Sequence, residues 1–545
     1  MQGGAMVRDR ILRIALICVT LIALISALTL CVFSVCYGTL NQDEGWYLYA
    51  ARCVADGMHP YRDFFYTQAP FMPWFYSWFD FLWYPEGVLG GRIFTTVLGF
   101  LSALCVGAMA ARAVPKQRAL EAATAAFAMV ACNLYHVYFT TIPKTYALAS
   151  LCLYAGFLIL TLCFFRKRTS HSMMSRMWAL PAGFLIALAV GTRLSLILIL
   201  PITALTLLIN CRKSGSAFFW FALGGTIGML LLFAPVYLNA HDQFLFSQTF
   251  HIAREGSQRD LMLVAGSLSR FARAYMTHCA LLFALVCALV LYGRKKESPF
   301  CVSNDGYAYH GDLWLPLWFI SFVAVFVLHL SSPHPYDDYQ VPIIGLLSAA
   351  LTGWVINRVD DGKLRFFFVI GTVASVLLGS FSSPLIQQWL TDGQDRFWIV
   401  KKELSDIKEL QLAAREIKEL ADDDDTLLTQ DLYLAIEAGM KVPSGMEMGA
   451  FGYFPKLSDA DAERYHVLNR RALTDLLESA PTEVAAFSGY GLAIQAPVME
   501  RVPYHDYQSF ITLLGKNYDF VGEVENFGQN NTLLQILKRR EQLAE

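Results

Sequence analysis

One stretch near the N-terminus constrains this chain more than any other feature. After Arg13 no charged residue occurs until Asp43. A run of that length exceeds the roughly 20 apolar residues needed to cross the hydrocarbon core of a bilayer. It is too long for a signal peptide and offers no small-residue cleavage site, so it is expected to remain as an uncleaved first span over 11–37. Similar blocks lie at 88–111, 119–139, 145–165, 178–192, 194–210, 217–238, 275–292, 313–330, 341–356 and 366–386. The expected fold is a polytopic α-helical membrane protein with about 11 transmembrane helices. The stretch 178–210 contains Gly191, Arg193 and Pro201 and reads either as two short helices or as one broken one. Composition agrees: 55% of residues are hydrophobic and 16% charged, where a soluble chain carries about a quarter.

Charge divides the chain. Residues 387–545 hold 16 basic and 27 acidic residues, whereas residues 1–386 hold 27 and 18. The expected organisation is therefore a membrane part, 1–386, and a soluble α/β tail, 387–545. The tail mixes helical stretches with short apolar runs. Its acidic balance argues against nucleic acid as a partner, because phosphates need a basic surface. Of the 27 basic residues before 387, 18 fall on alternate connections that begin with Arg8, Arg10 and Arg13. The positive-inside rule makes that side cytoplasmic. The tail and the loops 38–87, 239–272 and 331–340 are then expected outside, at the plasma membrane of a bacterium. All 12 cysteines lie at or before Cys301 and form no CxxC pair, so disulfides and a structural zinc are not expected.

The exterior loops carry the polar chemistry. Loop 38–87 is rich in aromatics (Tyr47, Tyr49, Phe64, Phe65, Tyr66, Trp74, Phe75, Tyr76, Trp78, Phe79), which suits the headgroup layer. Helical spacing is expected from Glu44 to Ala55. Asp43 and Glu44 stand just beyond the first span, where adjacent carboxylates are costly unless wet or bound. One reading makes them a helix N-terminus, with Asp43 as N-cap and Glu44 in the first turn. The other makes them catalytic, and the two are compatible.

The pair, followed by Asp56-Gly57-Met58-His59-Pro60-Tyr61-Arg62-Asp63-Phe64-Phe65, resembles the first exterior loop of the GT-C superfamily of integral-membrane glycosyltransferases. The similar branch is the protein O-mannosyltransferase and aminoarabinose-transferase type. The likeness extends to SSPHPYDDYQVPIIGLLSAA at 331–350 and to the span layout through about residue 386. The resemblance implies transfer of a sugar from a polyprenyl-phosphate donor to an acceptor hydroxyl on the outer face. It implies Asp43 as the base, with Glu44 beside it. Direct attack at the anomeric carbon would invert its configuration. A phosphate leaving group needs little protonation, so a single carboxylate suffices, unlike glycoside hydrolysis.

A departing phosphodiester needs cationic partners. Arg52, Arg62, Lys144 and Arg193 are the candidates, with Arg254 and Arg259 reading better as a solvated face. Arg193 lies near membrane depth, where it either meets an anion or snorkels. Lys144 either contacts phosphate or anchors the interface. In loop 331–340, His334, Tyr336, Asp337, Asp338 and Tyr339 are candidates for holding sugar or acceptor, or form a polar turn broken by Pro333 and Pro335. Asp337 and Asp338 could bind a divalent metal, but two carboxylates alone are a weak site, and no required cofactor is expected.

Asp459-Ala460-Asp461 matches the DxD pattern of nucleotide-sugar enzymes but reads as a helix start. The turn-rich segment 440–455 reads as scaffold or as an acceptor surface. No Walker A, GxGxxG or HExxH motif occurs. The expected partners are a lipid-linked sugar, membrane lipid, and a lipid, glycan or protein acceptor. A transporter or flippase of lipid-linked sugars, and a polysaccharide polymerase or ligase, are the alternatives. A transporter should concentrate charge at mid-membrane, whereas polar residues here gather at the exterior surface.

Overall fold

The computed structural model describes residues 2–163, 176–210, 216–253, a few positions between 264 and 287, 311–332, 336–381, 404–421, 426–489, 502–529 and 531–540. The apolar blocks fold into long helices. They are α1 (Gln2–Tyr37), α5 (Gly87–Arg112), α8 (Thr145–Cys163), α9 (Ala179–Thr192), α10 (Ile199–Asn210), α11 (Ser216–Ala253), α12 (Gly311–Leu330), α13 (Val341–Arg358) and α14 (Gly362–Phe381). Between α1 and α5 lie α2 (Gln42–Ala55), α3 (Phe71–Trp78) and α4 (Asp80–Trp83). The expected span 119–139 is instead a bent pair, α6 (Ala119–Ala131) and α7 (Leu134–Thr141), meeting at 67°. Asn133 breaks it by capping α7, accepting the His136 N–H.

Among the described residues, six helices are long and apolar enough to cross a membrane, or seven if the bent pair counts as one span. The helices at 145–161, 179–192 and 194–209 are apolar but shorter. The chain is thus a multi-pass membrane protein. The expected span 275–292 lies almost wholly outside the described residues. α1 shows why it needs lipid: Ile14, Ile17, Leu21, Ile25, Leu28 and Val32 are all exposed along one face, a stripe of three- and four-residue steps. Such an apolar face is stable only against hydrocarbon.

The stretch 178–210 breaks at Arg193, whose extended backbone (φ −142°, ψ 105°) separates α9 from a 3₁₀ turn, Leu194–Leu198, leading into α10. α9 packs between α8 and α11, and α13 packs against α5, α6 and α12.

Beyond 404 the chain forms α15 (Asp406–Leu420), α16 (Leu432–Ala438), α17 (Asp459–Arg464), α18 (Arg470–Ser479) and α19 (Tyr504–Asn517) around a small sheet. Its strands are β1 (Leu427–Leu428), β2 (Val484–Phe487), β3 (Tyr518–Phe527) and β4 (Thr532–Arg539), in the order β1-β2-β4-β3. β1 and β2 are parallel and the other pairs antiparallel. The Asp459-Ala460-Asp461 run opens α17, capped by Ser458.

The C-terminal region is bound to the first loop rather than separate from it. Asp406 accepts the Leu40 N–H at 2.8 Å, Gln42 donates to Asp431 at 2.9 Å, and the Val442 N–H donates to the Tyr49 hydroxyl at 2.8 Å. Trp46 meets Phe451 edge-on at 4.1 Å, so the segment 440–455 lies on α2. Past Ala240, where α11 kinks, Phe246 stacks flat on Tyr465 at 4.1 Å and tilts against Phe65 at 5.7 Å.

These contacts correct the expected placement of the loop aromatics. Tyr47, Tyr49, Phe64, Phe65, Tyr66 and Tyr76 are buried, whereas Trp78, Phe81 and Leu82 stand exposed. Most of the aromatics form the loop's own core, covered by α11 and the C-terminal region, and of the loop's aromatics only Trp78 and Phe81 near its end stand exposed.

Candidate active site

The site starts from how α2 begins. Asn41, not Asp43, is the N-cap. Its side-chain oxygen accepts the Asp43 N–H at 3.1 Å, and Glu44 accepts the Asn41 N–H at 2.9 Å. This reciprocal arrangement is a capping box. It moves the cap two residues before the expected position, because Asn supplies the acceptor that the helix start requires. Asp43 is then an inner residue of the first turn, with its carboxylate unused by the cap.

The two acids diverge. Glu44 is fully buried, and both its oxygens meet Arg92 of α5 at 2.7 Å. Arg92 also donates to the carbonyls of Gly38 at 2.8 Å and Thr39 at 3.0 Å, where α1 ends. Asp43 faces the other way. Its Oδ2 lies 2.6 Å from Lys144 Nζ, which also donates to Asp338 Oδ2 at 2.8 Å. Lys144 precedes α8 directly after Pro143, and Asp338 lies in the 3₁₀ turn that opens α13. The bridge therefore joins three chain segments at their helix ends. Burial alone would push the Lys144 ammonium down. The Asp338 and Asp43 carboxylates outweigh that and hold it well above its ordinary value, so it stays charged.

Arg193 completes the group. Its guanidinium lies over the Tyr146 ring at 4.7 Å and the Tyr339 ring at 4.6 Å, a cation–π sandwich. Its Nη1 reaches the Thr145 hydroxyl at 3.4 Å, and its Nε is buried with no hydrogen-bond partner. Among the described residues no carboxylate pairs with it. Around this group, His329 bonds to Ser195 Oγ at 2.9 Å and to Gln340 Nε2 at 3.3 Å. The Gln340 amide nitrogen can only donate, so the imidazole proton sits on Nε2 and is given to Ser195.

Asp43, Lys144, Arg193, and the neighbours Asp338 and Tyr339 therefore come together from four separated stretches of sequence. Tyr336 is exposed and packs edge-on to Tyr339 at 5.6 Å. His334 and the Asp337 side chain lie outside the described residues, as do Arg254 and Arg259. Two expected phosphate ligands are engaged elsewhere. Arg52 pairs with Asp56 at 2.6 Å and Asp80 at 2.7 Å, and exposed Arg62 pairs with its neighbour Asp63 at 2.7 Å. Arg92, Tyr146 and His329 lie at or beside this group without having been among the expected site residues. Arg92 did carry a signal, being a charge inside an expected span, which is a functional flag by default.

Lys144 occupies the place between Asp43 and Asp338 where a bridging cation would sit, and a metal there would have to displace it. Among the described residues no cluster of three His, Cys, Asp or Glu could hold a metal ion.

The arrangement of the bundle and the C-terminal region matches that of solved structures. ArnT from Cupriavidus metallidurans in the apo state superposes with a TM-score of 0.58 at 14% identity, over 95% of this chain and 97% of that one. The same protein bound to undecaprenyl phosphate gives 0.54 at 14% identity over the same shares. The Archaeoglobus fulgidus oligosaccharyltransferase in the apo form gives 0.48 at 11% identity, covering 96% of this chain and 75% of that one. At these identities the likeness is one of fold. No protein-family model and no curated sequence matches the chain.

Proposed function

We propose that the protein is a membrane glycosyltransferase that moves a sugar from a polyprenyl-phosphate donor to an acceptor hydroxyl at the outer face of the membrane. The observation that carries this reading is Arg193, a buried guanidinium with an unpartnered Nε beside the Asp43–Lys144–Asp338 bridge. Such a group calls for an anion. Support comes from the superposed ArnT, which has been solved with undecaprenyl phosphate. In this reading the N-terminus is cytoplasmic, residues 387–545 form an exterior unit, and the enzyme resides in the plasma membrane.

The donor phosphodiester docks on Arg193 and draws Lys144 toward it, loosening the Asp43 carboxylate. The acceptor O–H gives its proton to Asp43 while its oxygen attacks the anomeric carbon. The bond from that carbon to the phosphate oxygen breaks, configuration inverts, and the prenyl phosphate leaves with its charge matched by the two cations. In this reading Asp338 and Tyr339 hold the sugar. A transporter reading is less well supported, because these charges gather at helix ends beside the first loop. The test is Asp43→Asn in purified protein supplied with a panel of polyprenyl-phosphate sugars. Transfer should fall by about 10²–10⁴-fold while expression and melting temperature hold. Unchanged transfer would remove Asp43 from the chemistry.

A further inference from the structure

A cavity of about 500 Å³ lies away from the Asp43 bridge, between the start of α5 and the C-terminal helices α15 and α16. Its walls include Tyr84, Glu86, Arg415, Lys418 and Glu437. Glu437 is already used, accepting the Val88 N–H at 2.9 Å. Arg415, Lys418 and Glu86 are exposed and, among the described residues, have no hydrogen-bond or ion-pair partner. Lys418 Nζ and the Tyr84 hydroxyl converge over Gly439, each 3.7 Å from where a Cβ there would stand. The cavity thus presents two unmatched cations and one unmatched carboxylate, none of which the proposed transfer uses.

The cavity adjoins one end of a candidate span, Asp80–Arg112, with Tyr84–Gly87 near that end. Phe81 and Leu82, just before, are exposed. Glu86 sits over Gly90, its Cβ 3.0 Å from where a Cβ on Gly90 would stand. The same face continues through Ile93, Val97, Leu101 and Leu104, all exposed. From Ile93 to Leu104 this stripe is about 16 Å long at 1.5 Å per residue, which matches an extended acyl chain. Charges of both signs at the head of a lipid-facing apolar stripe match one kind of molecule.

We propose that this cavity holds the headgroup of a phospholipid bearing a primary amine, a phosphatidylethanolamine-type lipid. Arg415 and Lys418 take the phosphodiester, Glu86 takes the ammonium, and one acyl chain lies along Ile93–Leu104. The C-terminal region is thereby held to the membrane by a lipid as well as by its protein contacts. This inference needs the membrane reading only, so it stands or falls separately from the Asp43 chemistry.

Native mass spectrometry of the delipidated full-length protein, titrated with phosphatidylethanolamine or phosphatidylglycerol, tests it. The wild type should retain one phosphatidylethanolamine in preference to phosphatidylglycerol. Arg415→Gln/Lys418→Gln should weaken that retention about tenfold, the scale of a lost charge-assisted hydrogen bond. Glu86→Gln should abolish the preference while leaving phosphatidylglycerol retention intact. All three side chains are exposed, and each single variant can be measured alone if the double variant expresses poorly. Equal retention by wild type and cation variants overturns the site. A preference that survives Glu86→Gln overturns the assignment of the amine.

Discussion

Glu44 and Arg92 form a forked ion pair with no exposure of either side chain, Nε to Oε2 and Nη2 to Oε1 both at 2.7 Å. The pair ties the first turn of α2 to α5, while Arg92's remaining donors hold the end of α1. Asp43, the next residue back from Glu44, is thereby aimed in the opposite direction, at Lys144. The adjacent acids thus point apart, one into the Arg92 pair and the other into the Lys144 bridge.

Arg92→Met should be strongly destabilising. It leaves the Glu44 carboxylate buried without its partner, at a cost of about 3–5 kcal/mol. Arg92→Lys keeps the charge but not the fork, and should also lower the melting temperature in a thermal-shift assay. Equal melting of both variants and the wild type would show that the pair holds nothing in place.

Arg193→Gln should act on the donor. Losing a charge-assisted contact to phosphate costs about 1.5–3 kcal/mol, so kcat/KM for a polyprenyl-phosphate sugar should fall at least about tenfold, chiefly through KM. Steady-state kinetics at varied donor concentration separate the two. A loss confined to kcat would place Arg193 outside donor binding.

Asp338→Asn leaves Lys144 paired with Asp43 alone. Lys144→Met instead leaves both carboxylates without their shared cation, and should lower the melting temperature more than Asp338→Asn does. Thermal-shift assays of the two variants check the order, and melting equal to the wild type in both would contradict the bridge.

Glu447 gives the C-terminal region a pH-dependent stability. It is buried, and desolvation pushes its carboxyl from an ordinary 4.5 up to about 7, against the lowering by the Gly445 N–H it accepts. The folded state therefore holds the proton more tightly than the unfolded state. Its contribution is full below pH 4.5 and is lost as pH rises toward 7, by roughly 3 kcal/mol in all. Melting temperature measured from pH 4.5 to 7.5 should fall more steeply for the wild type than for Glu447→Gln. Parallel curves would dismiss the effect.

Gly45 marks where α2 and α16 touch. A Cβ there would stand 2.3 Å from the Tyr433 backbone nitrogen and 2.9 Å from the Leu432 carbonyl carbon, distances that only backbone movement can relieve. Gly45→Ala should part the first loop from the C-terminal region and expose the chain around 440–445 to limited proteolysis. A wild-type digestion pattern would mean that the helices tolerate the shift.

The sequence by itself determined the membrane class, the helical bundle and a helix just beyond the first span. These rest on local quantities: run length and periodicity. It could not decide which of Asp43 and Glu44 is free, because that depends on Arg92, 48 residues beyond Glu44 on another helix. Nor could it choose Lys144 and Arg193 over Arg52 and Arg62. All four are exterior cations in the sequence, and the local carboxylates Asp56, Asp80 and Asp63 claim the latter two. The buried aromatics of the first loop escaped for the same reason, since their cover comes from α11 and from residues near 450. Side-chain pairing across helix ends is set by packing between distant segments, and only the tertiary structure brings those segments within a few ångströms.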